Sequence, residues 1–258
     1  MVLGTDIRHS VGAASVAELA WLGPDGRPDG IPVTPLLLGN QPAVAFTYAY
    51  AAPARQIGSV PAIALVLSDP RMTGTGWRPG VLLGRPRLIE DRDGQLYKNE
   101  LLAQELRKYP PSRTLADSLL LRRENWWYLP RLIVTIDVAS IEPIAPREGD
   151  ADRVLAVHAG GLELDTVQAA GAGPDRLRLT SLAARHLPDG QAALLGHDFS
   201  VPDLERWTPW LWRGDLAGGV LSVSESPERT TLEPVPKLRQ RFRRHRKLER
   251  ACRAALQA

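Results

Sequence analysis

Apolar positions recur with strand-like spacing over residues 17–38, AELAWLGPDGRPDGIPVTPLLL, on either side of a Gly-Pro-Asp-Gly-Arg-Pro-Asp-Gly segment whose residue types all favour turns. The pattern predicts a β-hairpin. Downstream, PAVAFTYAY at 42–50 alternates and is rich in β-formers, and PAIALVLSD at 61–69 is a compact apolar run ending in turn residues; both read as strands. Between them AAPARQIGSV reads as a short helix with Pro53 in its first turn, where a missing N–H costs little. WRPGVLLGRPRLIEDRDG reads as a further hairpin-like strand pair. LYKNELLAQELRK at 96–108 has leucines on one side and charges on the other, a helix stopped by Pro110-Pro111, and a second helix is expected over 114–124. WWYLPRLIVTIDVASIEPI then settles into β-branched alternation, a long closing strand. Five or six strands with a short helix between the middle pair make a closed or nearly closed barrel, an arrangement that leaves few strand edges exposed.

The pattern then repeats. Residues 51–69, AAPARQIGSVPAIALVLSD, match residues 180–198, TSLAARHLPDGQAALLGHD, without a gap, ending on Asp69 and Asp198. With one inserted residue, WRPGVLLGRP at 77–86 runs beside WTPWLWRGDL at 207–216, which pairs Trp77 with Trp207, Pro79 with Pro209 and Gly84 with Gly214. The second copy has no counterpart of the helical excursion. The Pro- and charge-rich stretch at 143–153 divides the chain into a first barrel domain (1–148), a second, trimmed one (149–234) and a basic C-terminal helix (235–258). Two similar barrels in one chain make a pseudo-dimer, able to associate further as a homodimer.

Composition changes this picture in three ways. Of 32 Lys/Arg and 29 Asp/Glu, residues 237–253 hold nine and one, leaving a body of 23 against 28 with a net charge of −5. Basic character is therefore confined to the tail, which at helical spacing places Leu238, Phe242, His245, Leu248 and Cys252 on one face. It either docks on the acidic body or serves as an anion-binding arm for nucleic acid, a membrane surface or a polyanionic cofactor. Few aromatics interleave its charges, which counts against nucleic acid as the partner. The single cysteine, Cys252, excludes internal disulfides and multi-thiolate metal sites, and its arginine neighbours would activate it if it were exposed. The N-terminus lacks an apolar leader and no run is long enough to span a bilayer, so a cytoplasmic protein is expected.

Phosphate-binding loops, dinucleotide fingerprints, zinc-protease helices and nucleophile elbows are missing from the sequence. The five histidines are scattered, and GHD at 196–198 reads as a strand-end turn. This pattern counts against a hydrolase and leaves room for a protein whose chemistry resides in a cofactor.

The layout from AELAWLGPDGRPDG to the strand end PAIALVLSD and on to VLLGRPRLIEDRDG, roughly residues 14–140 and more weakly 155–225, resembles the pyridoxamine 5′-phosphate oxidase-like split β-barrel family. The resemblance implies a mostly β fold with flanking helices and FMN, or a deazaflavin coenzyme, held at a junction of two barrels for redox work on a small organic substrate. It places Thr47, with Tyr48 beside it, against the cofactor phosphate, and adds Arg55 and Gln56 from the short helix, with Pro53 standing where many members have Lys or Arg. A helix N-terminus and an arginine fork suit phosphate, although a solvated helix residue is the other reading of Arg55. Trp77, Trp126, Trp127 and Tyr128 either stack on a ring system or fill the barrel mouth; Trp77 is included in the candidate cofactor site. No catalytic residue and no metal ligand is assigned. The expectation is a flavin- or deazaflavin-dependent oxidoreductase; the other reading is a non-catalytic split-barrel module binding a planar ligand such as haem, or a protein partner.

Overall fold

The chain is described from a computed structural model, over residues 4–173 and 175–257. The first hairpin is β1 (Ala17–Leu22) and β2 (Pro28–Val33), joined by the Gly/Asp/Pro turn and preceded by a helix, α1 (Thr5–Ala13), that the apolar pattern did not predict. β3 (Leu36–Leu38) and β4 (Gln41–Thr47) follow, then α2 (Ala51–Ser59) and β5 (Ile63–Leu67). Residues 80–91 form one twelve-residue strand, β6 (Gly80–Asp91), rather than a hairpin: Arg85-Pro86-Arg87 continues the pairing, aided by an irregularity at Gly84. The helical excursion begins as a π-turn (Tyr97–Leu101), runs on as α3 (Leu102–Lys108), α4 (Arg113–Ala116) and α5 (Leu119–Glu124), and closes with the turn Trp126–Tyr128 before β7 (Arg131–Glu142). Within the first half the strands pair in the order β2-β1-β5-β6-β7-β4-β3.

The second half contains β8 (Asp152–His158), β9 (Leu162–Gly173), β10 (Arg176–Ser181), β11 (Gly190–Phe199), β12 (Trp207–Ala217) and β13 (Val220–Glu225), closed into a barrel in the order β10-β13-β12-β11-β8-β9. With β3 set aside, the six strands of each half pair in the same sequence: second, first, fourth, fifth, sixth, third. The matched glycines agree with this order, because the register slips at Gly84 between β6 and β7 and at Gly214 between β12 and β13. At both, an added Cβ would overlap a carbonyl of the facing strand, Asp137 or Ser222. Residues 182–189 form a turn and extended chain where the sequence match to α2 would place a helix, so the second half has no counterpart of that element there. The result is a mostly β, split-barrel architecture with flanking helices.

Only the second half closes by strand pairing; in the first, β2 and β3 are not bonded to one another. The gap is served by side chains. Gln104 of α3 bonds both N–H and C=O of Leu37, standing in for a neighbouring strand, and the buried Lys108 donates to the carbonyls of Val11 and Pro35 at 2.6 and 2.5 Å. The two halves meet across a third apolar layer in which Ala20, Ala64 and Val66 face Val154, Ala193 and Leu195. In the 129-residue register of the repeat, Ala64 and Val66 correspond to Ala193 and Leu195, so the same face of the same strand is used from both sides, as in an isologous dimer contact.

The last element, α6 (Leu238–Gln257), packs its C-terminal part on the first half. Cys252 is buried there with Leu248 and Ala255, and His245 meets Trp127 edge-to-face at 5.5 Å. Leu238 and Phe242 do not share that contact; they are 71% and 67% exposed. Among the described residues no helix is long and apolar enough to cross a membrane.

Candidate functional site

Thr47 ends β4, Tyr48 opens the 3-10 turn Tyr48–Tyr50, and α2 follows directly. α2 forms because its first turn accepts Pro53 and because Ala51, Ala54 and Ile57 give it one apolar face, which packs on β6 and β7. Arg55 and Gln56 point outward. The guanidinium of Arg55 is committed to Glu90 of β6 through two bonds of 2.8 and 3.2 Å, and that hydrogen bond raises its pKa. Tyr48 is fully buried, its hydroxyl without a hydrogen-bond partner, and burial raises its pKa. Above this corner lies α6: the Cys252 thiol sits against Thr47 and the backbone of Tyr48 and Ala49, and Arg92 reaches over to donate to Leu256 O at 2.6 Å. Cys252 is thus a packing residue whose pKa burial raises, the opposite of the activation its arginine neighbours would cause in water.

Thr47, Tyr48 and Arg55 therefore share a corner, with Gln56 on the next position of α2. Trp77 does not join them. It lies in the loop beyond the C-terminal end of β5, whereas α2 precedes the N-terminal end, and it packs on the first core near α1. Trp127 and Tyr128 are buried core, and Trp126 is half-exposed beneath Arg253. As folded, the corner does not fit an FMN phosphate: the arginine is neutralised by Glu90 and the hydroxyls lie under α6.

Sequence reasoning missed the charged centre of the molecule, at the junction of the halves. Glu18 of β1 is fully buried; its carboxylate receives Arg147 and, at 2.8 Å, Nε2–H of His197, while Ser68 donates to its other oxygen at 3.2 Å. Trp207 Nε1–H donates to His197 Nδ1 at 3.1 Å, which assigns the imidazole proton to Nε2. Arg147 Nε reaches Ser68 Oγ at 2.8 Å, and Arg71 joins Asp69 to Asp198. Burial works against ionisation of Glu18, but Arg147 and the His197 bond more than offset it and hold the carboxyl below its ordinary value; Asp69 is held low in the same way by Arg71 and Arg147. His197 and Asp198 lie within β11, paired with Pro209 and Thr208, and not in a strand-end turn. Two signals were present in the sequence: the lone Glu in AELAWL, and the repeat register itself, which matches Ser68 with His197 and Asp69 with Asp198.

Beside this centre runs a groove between β2 and the β11–β12 pair. One part, about 350 Å³, has Ile31, Leu195 and Pro209 on its walls, with Glu18 and His197 at its base. Trp210 borders it, but its indole is buried against Gly196 and Arg153, with Nε1 closed off from the groove. Asp29 leads into a second part of about 400 Å³ that includes Arg27, Gln56, Arg213 and Glu225. Here Arg213 bridges Asp29 at 2.7 Å and Glu225 at 2.8 Å, tying the first hairpin to the second barrel. Gln56 is the one predicted site residue that lines this groove. Among the described residues no cluster of His, Cys, Asp and Glu could hold a metal ion.

No family model and no curated protein matches the chain. Among solved structures it is similar to a conserved hypothetical protein of Mycobacterium tuberculosis (16% identity, TM-score 0.41, covering 55% of this chain and 83% of that one). It is also similar to a heme binding protein of Mycobacterium smegmatis (15%, TM-score 0.35, 98% and 100%) and to a pyridoxamine 5′-phosphate oxidase-related, FMN binding protein of Nostoc punctiforme (15%, TM-score 0.32, 81% and 97%). These scores are low, and the fold assignment stands on the strand order described above.

Proposed function

We propose that this chain is a split-barrel binding protein that takes a planar, largely apolar small molecule of the flavin or haem class in the groove at the junction of its halves. The observation that carries the reading is the groove itself: an apolar slot of about 350 Å³ walled by Ile31, Leu195 and Pro209, continuous through Asp29 with a polar end bearing Arg27, Gln56 and Arg213. A slot of this size with polar groups at one end suits a small ring system whose apolar face lies along Ile31 and Leu195 and whose polar edge meets the Gln56 end, where Arg27 and Arg213 are already paired with Asp25, Asp29 and Glu225. At the Thr47–Arg55 corner the guanidinium is held by Glu90 and the Thr47 hydroxyl lies under Cys252 of α6.

Titration of the full-length protein with FMN and with haemin, followed by tryptophan fluorescence and visible absorption, tests this. At least one should bind, with the affinity lost in Ile31→Trp, which fills the slot, and kept in Arg55→Ala, provided both variants melt as the parent does. Binding that survives Ile31→Trp but requires Arg55 would return the site to the corner, and binding of neither probe would overturn the reading. Oxidation of a reduced nicotinamide by the FMN-loaded protein would make it the oxidoreductase that the resemblance implies; retention of the ligand without turnover would make it a carrier.

A further inference from the structure

The face of α6 turned away from the body has no partner and carries a regular charge pattern. Arg239, Arg243, Arg246 and Arg250, at steps of four, three and four residues, form one stripe along the helix, and all four are exposed, as is Lys247 beside them. The ion pairs of α6 use other residues: Arg241 with Glu205, Arg244 with Glu233, and Arg253 with Glu249. Among the described residues no carboxylate lies within pairing distance of the stripe.

Large exposed apolar side chains lie on the same helix, and Trp126 packs beside it. Leu238 and Phe242 flank the stripe on α6 and Val235 lies just before it; Trp126 stands under Arg253, and Leu119 and Leu120 are on α5, which leads into the Trp126 turn. Scattered single hydrophobics are ordinary on a protein surface, but here Leu238 and Phe242 lie along a cationic stripe and Trp126 stands by Arg253 of the same helix.

We infer that this face docks on an anionic lipid bilayer, the arginine stripe lying along the headgroup phosphates while Phe242, Leu238 and Trp126 enter the interface. Charge complementarity selects a polyanion, and the exposed apolar side chains select a lipid surface over nucleic acid, whose phosphate backbone has nothing to receive exposed leucines. The helix packs on the body through Leu248, Cys252 and Ala255, which lie on the side opposite the stripe and leave the arginines facing outward.

Co-sedimentation of the full-length protein with vesicles tests the inference. Vesicles of phosphatidylcholine with phosphatidylglycerol mixed in should bind about tenfold or more tightly than phosphatidylcholine alone. Arg239→Glu/Arg243→Glu/Arg246→Glu/Arg250→Glu should remove this preference without changing the melting temperature, because these side chains carry no ion pair. Leu238→Ala/Phe242→Ala should keep attraction at low salt and lose the binding that persists at high salt. Equal binding to both vesicles, no effect of the Leu238/Phe242 change, or tighter binding to duplex DNA than to the anionic vesicles would each overturn it.

Discussion

Asp69 and Asp198 share one guanidinium: Arg71 bonds the first at 2.8 Å and the second at 2.7 Å, so the ends of corresponding strands in the two halves are held by a single side chain. Asp69 is buried and would lose most of its compensation without Arg71, although Arg147 stands 3.6 Å away. Arg71→Ala should therefore destabilise the protein by about 1–2 kcal/mol, the low end for a charged bond because Arg71 is partly in solvent. Asp198→Asn, at a more exposed carboxylate, should cost less than about 1 kcal/mol. Urea unfolding of the two variants checks the ranking; equal losses would mean that Asp198 is as tightly engaged as Asp69.

Glu18→Gln removes the charge that Arg147 and His197 converge on and leaves a buried arginine short of a partner, so it should cost about 3 kcal/mol. The pH dependence has a definite sign. The folded carboxyls of Glu18 and Asp69 titrate below their ordinary values of 4.5 and 3.8, so their contribution is present above those values and lost as pH falls through the lower folded ones. Urea midpoints measured between neutral and strongly acid pH should fall less steeply in Glu18→Gln than in the parent. Parallel curves would show that Glu18 is not the group responsible.

Lys108 acts on the alkaline side. Its burial lowers the pKa from 10.5 to about 7, so between those values the unfolded chain binds more protons than the folded one and stability rises with pH. Above pH 10 the buried tyrosines reverse the trend, since burial holds Tyr109 up to about 12 and Tyr97 and Tyr128 well above their ordinary value. Lys108→Met should flatten the rise and, by leaving the Val11 and Pro35 carbonyls unpaired, cost about 1–3 kcal/mol. A midpoint that falls steadily from neutral pH in the parent would contradict the assignment.

Gly84→Ala and Gly214→Ala should each lose about 1–3 kcal/mol, because the new methyl group overlaps a carbonyl of the facing strand at equivalent bulges. Gly161→Ala, with nothing within contact distance, is the control and should change little. Thermal melts of the three variants suffice, and a tolerant Gly84 beside an intolerant Gly214 would argue against equivalence of the two positions.

Cys252→Asp puts a charge between α6 and Thr47 and should undock the helix, lowering the melting temperature by several degrees as the contacts of Leu248 and Ala255 open. If the uncovered Thr47–Tyr48 corner then bound FMN in an Arg55-dependent way, α6 would be a lid over a latent site rather than a permanent cover. Limited proteolysis within residues 238–257 reports the undocking, and FMN titration reports the corner.

What the sequence determined was local. Period-two alternation and turn residues located the first hairpin, β4, β5, β7 and the order of the two halves, because those signals are carried by the residues that form each element. The sequence match that pairs Asp69 with Asp198 and Gly84 with Gly214 named positions that share one arginine and that sit at equivalent strand irregularities. Tertiary structure decided the rest. A single long β6 replaced the expected hairpin because pairing with β7 holds Pro86 in an extended ladder, and residues 182–189 form no helix because local similarity of small residues does not supply an apolar face to pack. The predicted corner lost Trp77 to the opposite end of β5, lost Arg55 to Glu90, and lost its openness to α6, a helix nearly two hundred residues away in the chain. Glu18, Arg147 and His197 became a centre only when three distant segments were brought into one dry layer, where a charge must find its partner in the protein because water is excluded.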